Sequence, residues 1–362
     1  MSKDKKKVAI IDCSIPINTR NQKIIDSLRA SYEDAEIHII TWNREGIKLD
    51  DNNRFFHAYD KIAPYADARA KLRGLVGFKK YIKQILSEIS ADVIIASHWS
   101  NLMLVASAKK KGQILIYENL DIPTGGFPIR QVEGLIERRC LRKVDLMIHA
   151  SRFFRPLYNN VDIPQLVLEN KPAFSPNPKT SISGKPLKVA FVGTIRYKEI
   201  LQNLADALMN DPAFELYFHG SGEDYGTMKE YCKNANNIYF TGKYDYSSVV
   251  SLYHQADIIW AGYPNRDYNV VYAISNKFHE SLYVGVPCVY SQGTMLADFV
   301  KANNIGFVVD PYSTAEIKRL FQRIASGEED INCIKRSMLD YQAKETTWAD
   351  DFRQVVNFLN SK

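Results

Sequence analysis

Short β-rich runs alternate with amphipathic helical stretches along the whole chain, and this alternation restarts halfway along it. Parallel strands need long crossover connections, which are usually helices, so the pattern is typical of parallel sheets covered by helices. A stretch rich in proline, serine and threonine (170–186) separates the two series, and its composition is typical of a linker. A chain of 362 residues also exceeds the usual size of one hydrophobic core. The sequence therefore predicts an α/β protein of two domains.

The predicted elements define the domain boundaries. The strands of the first domain are Val8–Asp12, Glu36–Thr41, Val93–Ala96, Ile114–Tyr117 and Leu146–His149. Those of the second domain are Val189–Gly193, Glu215–Phe218, Ile238–Phe240, Asp257–Trp260, Pro287–Tyr290 and Gly306–Val309. A predicted helix, Arg130–Lys143, has an apolar stripe formed by Val132, Leu135, Ile136 and Leu141. The domains are accordingly placed at 1–170 and 187–345, with a linker at 171–186 and a closing helix within 346–362.

Composition and charge exclude several classes of protein. The hydrophobic content of 46% and the charged content of 24% are those of globular proteins, and no apolar run approaches the ~20 residues of a membrane-spanning helix. A net charge of +6 suits contact with phosphates or lipid headgroups but is too diffuse for nucleic acid. The five cysteines are far apart, which argues against a disulfide framework or a zinc cluster. Without the apolar segment of a secretory signal, the lysine-rich start indicates a cytoplasmic protein.

Motifs that the sequence lacks narrow the chemistry. It contains no GxxxxGK[ST] for P-loop phosphoryl transfer and no HExxH for a zinc hydrolase. The glycines at 220, 222 and 226 are a poor match to a dinucleotide fingerprint, because the third glycine is one residue late. No Asp-x-Asp is present to hold a divalent ion against a diphosphate. We therefore expect no metal and no cofactor, and any diphosphate must be bound by Lys, Arg and helix N-termini.

The most informative segment is 275–289, Ser-Asn-Lys-Phe-His-Glu-Ser-Leu-Tyr-Val-Gly-Val-Pro-Cys-Val. Ser275 is a good N-cap for a helix that ends at Gly285. The N-terminus of that helix presents free N–H groups and the positive end of a dipole, and Lys277 adds a full charge. Glu280 lies one turn further along, where a carboxylate can accept both hydroxyls of a ribose. The segment therefore predicts a nucleotide-binding site.

This segment resembles the GT-B glycosyltransferases, especially the large retaining family that builds bacterial surface polysaccharides. In that family a Glu precedes small residues, Gly, x, Pro and a β-branched strand. The resemblance extends across the second domain, through the segments Phe191–Lys198, His219–Gly222, Asn237–Tyr244 and Ala256–Ile258, and the terminal Trp348 helix is similar as well. It implies two Rossmann-like domains that face each other across a cleft, with the C-terminal helix crossing back to the N-terminal domain.

The resemblance also assigns functions to single residues. The donor diphosphate is expected to contact Arg196, Lys198, Asn276 and Lys277, beside donor loops that contain Gly193 and Gly220. The nucleoside is expected to contact Glu280, Lys243 and Tyr244. In the first domain, His98 follows a predicted strand and is the candidate catalytic residue, since a His there can contact sugar or acceptor and move protons near neutral pH.

Two residues depart from the family pattern. Many relatives have a second acidic residue eight positions before the ribose-binding Glu, and Tyr272 occupies that position here. The basic loop usually begins Gly-Arg, whereas Thr194 follows Gly193 in this chain. Arg196 or Lys198 must then take the place of the usual Arg.

The predicted activity is transfer of a sugar, with retention of configuration, from a nucleotide diphosphate sugar to an acceptor hydroxyl, with a UDP-sugar favoured as donor. The acceptor would be a glycan or a lipid-linked molecule in polysaccharide or glycoconjugate assembly. Alternatives are a nucleotide-sugar epimerase on the same scaffold and a non-catalytic GT-B partner subunit, which the loss of the acid at Tyr272 favours. An NAD-dependent dehydrogenase is weakened by the misplaced glycines.

A basic stretch at 69–83 carries a separate hypothesis. Its Arg and Lys residues are interleaved with apolar ones without an intervening acid. A basic amphipathic helix can lie on an anionic membrane, although an ordinary solvated helix face has the same pattern. The sequence thus predicts peripheral contact with the inner face of the membrane, which would suit a lipid-linked acceptor.

Overall fold

The computed structural model describes residues 6–49, 53–63, 68–123, 128–179 and 184–362, and for residues 68–72 it describes the backbone alone. The chain divides into two compact units. The first comprises Met1–Glu169 together with Trp348–Lys362, and the second comprises Asn170–Thr347. Each unit is an α/β structure with one parallel sheet.

The first unit contains a seven-stranded parallel sheet. Its strands are β1 (Lys7–Ile11), β2 (Glu36–Asn43), β3 (Phe56–Asp60), β4 (Val93–Ser97), β5 (Ile114–Asn119), β6 (Leu146–His149) and β7 (Gln165–Val167). They are arranged in the order β3-β2-β1-β4-β5-β6-β7. Every strand predicted for this unit is present, and β3 and β7, which were not predicted, are its two edges. Because edge strands are only half-buried here, they lack the apolar run that marks a central strand.

The helices that connect these strands are α1 (Thr19–Ser31), α2 (Ala68–Ile89), α3 (Trp99–Val105) and α4 (Ile129–Leu141). A short 3₁₀ helix, Arg155–Tyr158, precedes β7. Asn18 caps α1 by accepting a hydrogen bond from the backbone N–H of Asn21. The inner face of α1, formed by Ile24, Ile25 and Leu28, packs on the sheet.

Only the C-terminal end of the apolar stripe predicted for α4, Leu141, is buried in the core. Val132 and Leu135 are 56% and 70% exposed, and the buried residues of the helix are Glu137 and Leu141. Glu137 is buried because its carboxylate accepts hydrogen bonds from the hydroxyls of Tyr117 and Tyr158. A carboxylate thus shares the inner face with Leu141, and apolar periodicity alone wrongly placed Val132 and Leu135 in the interior.

The second unit contains a six-stranded parallel sheet. Its strands are β8 (Leu187–Val192), β9 (Phe214–His219), β10 (Ile238–Gly242), β11 (Ile258–Ala261), β12 (Cys288–Ser291) and β13 (Phe307–Val309). Their order is β10-β9-β8-β11-β12-β13. All six agree with the prediction to within two residues at each end.

The helices of the second unit are α5 (Lys198–Leu208), α6 (Tyr225–Tyr231), α7 (Val249–Gln255), α8 (Tyr268–Tyr272), α9 (Asn276–Val284), α10 (Met295–Asn303), α11 (Thr314–Ser326) and α12 (Ile331–Gln342). A 3₁₀ turn, Tyr246–Ser248, precedes α7. Part of the stretch predicted as a linker also belongs to this unit, because the backbone N–H groups of Asn177 and Lys179 donate to the carbonyl oxygens of Tyr283 and Val284.

The chain ends in α13 (Trp348–Asn360), which belongs to the first unit. Four of its side chains, Trp348, Phe352, Val355 and Leu359, join the buried cluster that contains the inner face of α1. The indole N–H of Trp348 donates to the hydroxyl of Ser27 at 2.9 Å. The predicted return of the terminal helix to the first domain is therefore observed. No helix in the described ranges has the length and apolar character that crossing a bilayer would require.

Candidate functional site

The strand order of the second sheet locates a crevice. From β8 the chain proceeds in one direction to β9 and β10, and then returns to the other side of β8 to add β11. At such a topological switch point the connections on either side diverge, and ligands bind beyond the carboxyl ends of the two central strands. Here those ends lead into Gly193, which follows β8, and Tyr263, which lies two residues after β11.

Two glycine loops approach each other closely at this edge of the sheet. Gly193 has a φ of +142° and Gly220 a φ of +138°, which side chains rarely adopt. A Cβ atom at Gly220 would lie 1.8 Å from the carbonyl oxygen of Gly193, so only glycine fits there. A Cβ atom at Gly193 would lie 3.1 Å from the Nζ atom of Lys277. The predicted donor loops therefore lie together, and the Lys277 ammonium lies beside them.

Helix α9 begins and ends as its sequence predicts. The Ser275 hydroxyl accepts a hydrogen bond from the backbone N–H of Lys277 at 3.3 Å, and Gly285 ends the helix with a φ of +66°. Lys277 is only 6% exposed. Its Nζ atom donates to the hydroxyl of Tyr263 at 2.8 Å and lies 4.7 Å from the centroid of the Phe191 ring. A buried, fixed positive charge therefore lies at the switch point, where it can neutralise a phosphate.

Glu280 lies one turn further along α9 and is 6% exposed. Its Oε2 atom accepts a hydrogen bond from the Tyr253 hydroxyl at 2.7 Å, and its Oε1 atom accepts one from the Tyr246 hydroxyl at 3.2 Å. Burial, followed by the nearby charge of Glu280, raises the pKa of the Tyr244 phenol to about 12. The carboxylate is thus held in place, and because each of its oxygens has two lone pairs, it can accept further hydrogen bonds from a diol.

The remaining predicted donor residues are more exposed. The Arg196 guanidinium lies 4.8 Å from the centroid of the Tyr197 ring, and its charge reaches Tyr263, where it helps to lower the phenol pKa. Lys198 begins α5 and Lys243 follows β10, and both side chains are exposed. Asn276 is also exposed, and its side-chain oxygen accepts a hydrogen bond from Asn170 at 2.8 Å. Of these residues, Arg196 is the one that the structure brings to the Lys277 site.

His98 lies in the first unit, between β4 and α3, at the equivalent switch between β1 and β4. Its φ of +76° is unusual for a residue other than glycine. Its Nδ1 atom accepts a hydrogen bond from the backbone N–H of Ser100 at 3.3 Å, which leaves the proton of the neutral ring on Nε2. Burial lowers the pKa of His98. The neutral ring can therefore donate a hydrogen bond from Nε2.

Comparison with protein families identifies the second unit. Residues 176–346 match the family model described as glycosyl transferases group 1. This segment belongs to the group 1 glycosyltransferases. It contains the residues predicted for the donor site, from Gly193 to Glu280. The predicted family resemblance is therefore confirmed. A search of curated proteins finds no match to this chain.

Solved structures extend the likeness in fold to both units of the chain. Sucrose-phosphate synthase from Thermosynechococcus elongatus superimposes with a TM-score of 0.75 at 12% identity, covering 99% of each chain. HepE from Anabaena, in complex with UDP, gives a TM-score of 0.71 at 15% identity, covering 98% of this chain and 100% of that one. A protein from Listeria monocytogenes assigned as UDP-N-acetylglucosamine 2-epimerase gives 0.61 at 12% identity over 96% and 93% of the two chains. The GT-B fold predicted from the sequence is confirmed.

Apart from Tyr244, the sequence did not predict the tyrosines of the candidate site. Tyr263 binds Lys277, and Tyr246 and Tyr253 bind Glu280. Their involvement depends on which strands are neighbours, although the position of Tyr263 just after a predicted strand was a usable signal. Tyr272, which replaces the second acid of the family, ends α8, where its ring lies 5.3 Å from that of Tyr268. Among the described residues, no group of three or more His, Cys, Asp or Glu side chains has metal-binding geometry.

Proposed function

We propose that this group 1 glycosyltransferase transfers a hexose from a nucleotide diphosphate sugar to an acceptor hydroxyl without a metal ion. The observation that supports this most strongly is the arrangement of α9 at the switch point. Lys277 projects its ammonium toward the Gly193 loop, and Glu280 lies one turn further on. That spacing suits a ligand with a diphosphate joined to a ribose.

The chemical task is to stabilise a departing diphosphate while the anomeric carbon becomes oxocarbenium-like. Fixed positive groups placed where negative charge develops stabilise the transition state, and this is usually the largest single contribution to catalysis. Lys277, Arg196 and the N-terminus of α9 provide such groups here. These cations take the part that a divalent ion and an Asp-x-Asp motif play in other nucleotide-sugar enzymes. Asn276, Lys198 and Lys243 remain proposed donor contacts.

UDP is the proposed nucleotide of the donor. HepE, which shares the fold, has been solved in complex with UDP. Tyr244, close to Glu280 on the loop after β10, provides an aromatic ring for the base. Retention of the anomeric configuration rests on the family resemblance, and the anomeric coupling constant of the product in a proton NMR spectrum tests it.

A thermal-shift screen tests the donor site. The purified protein is melted with UDP, GDP, dTDP, CMP or NAD in the presence of EDTA. A ligand that binds only the native state raises the melting temperature by mass action. We expect UDP to raise it with EDTA present, and the Glu280→Gln variant to lose most of this shift while keeping its own melting temperature. A shift that EDTA abolishes would contradict metal independence, and no shift with any nucleotide would contradict the donor site.

Two alternatives share the scaffold. The match to an epimerase-assigned structure shows that the fold alone does not separate transfer from epimerisation. A non-catalytic partner subunit is favoured by Tyr272 in place of an acid. Proton NMR of a UDP-sugar incubated with the protein separates the three. A new UDP-sugar formed without an acceptor indicates epimerisation, UDP released only with an acceptor indicates transfer, and binding without turnover indicates a partner subunit.

In the first unit we propose that the acceptor binds near the carboxyl ends of β1 and β2. A cavity of about 220 Å³ lies there, lined by Cys13, Ser14, Trp42 and Arg44 among others. The Arg44 guanidinium lies 5.0 Å from the centroid of the Trp42 ring. The flat ring and the hydrogen-bond donors of the guanidinium beside it offer a surface on which a sugar can bind.

His98 is proposed as the catalytic residue of this unit, acting as a hydrogen-bond donor. His98→Gln is expected to lower kcat and leave UDP affinity unchanged, whereas an unchanged kcat would contradict this role.

We propose that the enzyme binds peripherally to an anionic membrane. Arg69 and Lys71 of the basic stretch lie outside the described side chains, but Arg73, Lys80 and Lys83 are exposed on α2. Helices α2 and α4 both contact α3. We propose that the exposed Val132 and Leu135 of α4 add apolar groups to this basic surface, as membrane-surface helices require.

Vesicle co-sedimentation tests this location. We expect binding to phosphatidylglycerol vesicles, weaker binding to phosphatidylcholine vesicles, and loss of binding in Leu135→Asp. Leu339→Asp is the matched control, because Leu339 is also exposed but lies on α12 in the second unit. Equal binding of Leu135→Asp and the control would contradict the proposal.

A further inference from the structure

The hydroxyl oxygen of Tyr263 accepts two hydrogen bonds at the switch point. Its oxygen accepts a hydrogen bond from the Lys277 Nζ atom at 2.8 Å and a second from the Ser275 hydroxyl at 3.3 Å. A phenol oxygen has two lone pairs and one proton. Both lone pairs are thus engaged, so the O–H proton must be directed to a third partner. Among the residues that the structure describes, no acceptor for this proton is found.

The backbone of Tyr263 is fixed independently of Lys277. Its N–H donates to the Ser291 hydroxyl at 2.7 Å, and that hydroxyl donates to the Tyr263 carbonyl oxygen, also at 2.7 Å. Ser291 is buried at the end of β12. The ring packs edge-on against Tyr197 with centroids 6.2 Å apart. The hydroxyl therefore has a defined position between the Gly193 loop and the start of α9, which is where the proposed diphosphate would lie.

The charges around Tyr263 favour donation over acceptance. Burial alone would raise the pKa of the phenol, but the Lys277 ammonium and the hydrogen bonds from Lys277 and Ser275 lower it below its ordinary value of 10. The more acidic a hydroxyl is, the better it donates a hydrogen bond to an anion. Arg196 contributes in the same direction.

We propose that Tyr263 is a ligand of the donor diphosphate, donating its O–H to a phosphate oxygen while its own oxygen holds Lys277 in place. This inference rests on the proposed function, because it places the phosphates at the same site. It assigns to Tyr263 a contact with the phosphates but none with the nucleoside. The phenol keeps its proton throughout, so no bond is made or broken at Tyr263.

Isothermal titration of UDP and of uridine, both in EDTA, separates this role from a structural one. Tyr263→Phe keeps the ring on Tyr197 and removes the hydroxyl alone. We expect about tenfold weaker binding of UDP, the cost of one hydrogen bond to a charged group, and unchanged binding of uridine. Tyr239→Phe is the matched control, because Tyr239 is an exposed tyrosine of β10 outside the switch point. Thermal melting of each variant reports whether the fold is intact.

UDP binding measured in the Lys277→Met variant, with and without Tyr263→Phe, shows whether Tyr263 contacts the phosphates directly or acts by positioning Lys277. Direct donation predicts that adding Tyr263→Phe to this variant weakens UDP binding further. No further loss would show that Tyr263 acts only by positioning Lys277, which overturns the proposal. If wild-type protein binds neither UDP nor uridine, the proposed function itself fails. If wild type and Tyr263→Phe bind UDP equally, the donor site stands and this inference alone fails.

Discussion

At the scale of single residues, glycine determines how closely the two donor loops approach. The Gly193 carbonyl oxygen occupies the space that a side chain at position 220 would need. The lysine ammonium that faces Gly193 lies in the same small volume. The proposed phosphate site therefore depends on two positions without side chains, and larger residues there would push the loops apart.

Replacement of Gly220 by Ala is expected to cost about 3 kcal/mol or more of the free energy of unfolding, because the new Cβ meets backbone 1.8 Å away. Urea denaturation measures this loss. The matched control is Gly226→Ala in α6, where a Cβ meets nothing within 4 Å. Since Ala favours helix, the control should be neutral or gain up to ~1 kcal/mol. Equal, small effects of both substitutions would contradict the close approach of the loops.

A buried histidine in the first unit makes the free energy of unfolding depend on pH. His149 in β6 donates from Nε2 to the Gln165 side chain at 2.8 Å, and its Nδ1 atom faces the Asn119 amide at 3.2 Å. Burial lowers the pKa of His149 from 6.5 to about 4, against the hydrogen bond to Gln165. A proton on Nδ1 would have no acceptor there, because the amide of Asn119 is a donor.

The sign of the effect follows from proton uptake. Between about pH 6.5 and pH 4 the unfolded chain binds this proton and the folded chain does not, so stability falls as the pH falls through that window. At 1.36 kcal/mol per pKa unit the loss is on the order of 3 kcal/mol. Urea unfolding from pH 7.5 to pH 4.5 should therefore show a shallower decline for His149→Gln than for wild type. Parallel pH profiles would contradict this assignment.

At the scale of elements, α4 buries only one end of the apolar stripe that the sequence pattern predicts. Glu137 is inside because two tyrosine hydroxyls satisfy it, and Leu135 is outside. The edge strands β3 and β7 were not predicted, because their half-buried residues do not form an apolar run. The central strands were predictable since both of their faces are covered, which makes them continuously apolar. Sequence patterns therefore predicted the central strands of both sheets and both edges of the second sheet, and missed only the edges of the first sheet.

Two leucines on α4 test which face is buried. Leu141→Ala is expected to lower the free energy of unfolding by about 2–5 kcal/mol, because Leu141 is 3% exposed. Leu135→Ala should change it by less than about 0.5 kcal/mol, because Leu135 is 70% exposed. Both variants remove the same atoms from the same helix, so equal losses in urea unfolding would contradict the orientation of α4.

At the scale of the whole molecule, each unit places its proposed functional residues at the carboxyl ends of strands beside a topological switch. In the second unit, Lys277 and Glu280 were predictable because one short segment contains the cap, the lysine and the carboxylate. Tyr246, Tyr253 and Tyr263 were not, because they are 14 to 34 residues from their partners. Only the order of the strands brings them to α9.

Hydrogen–deuterium exchange with and without saturating UDP tests the central claim most directly, because it locates the ligand along the chain. The account predicts slower exchange in peptides covering the loops after β8 and β10 and the start of α9, namely 193–198, 242–246 and 275–280. The same peptides of Glu280→Gln should respond much less at equal UDP concentration. Slower exchange confined to the first unit, or no change at any UDP concentration, would contradict a donor site at the switch point of the second sheet.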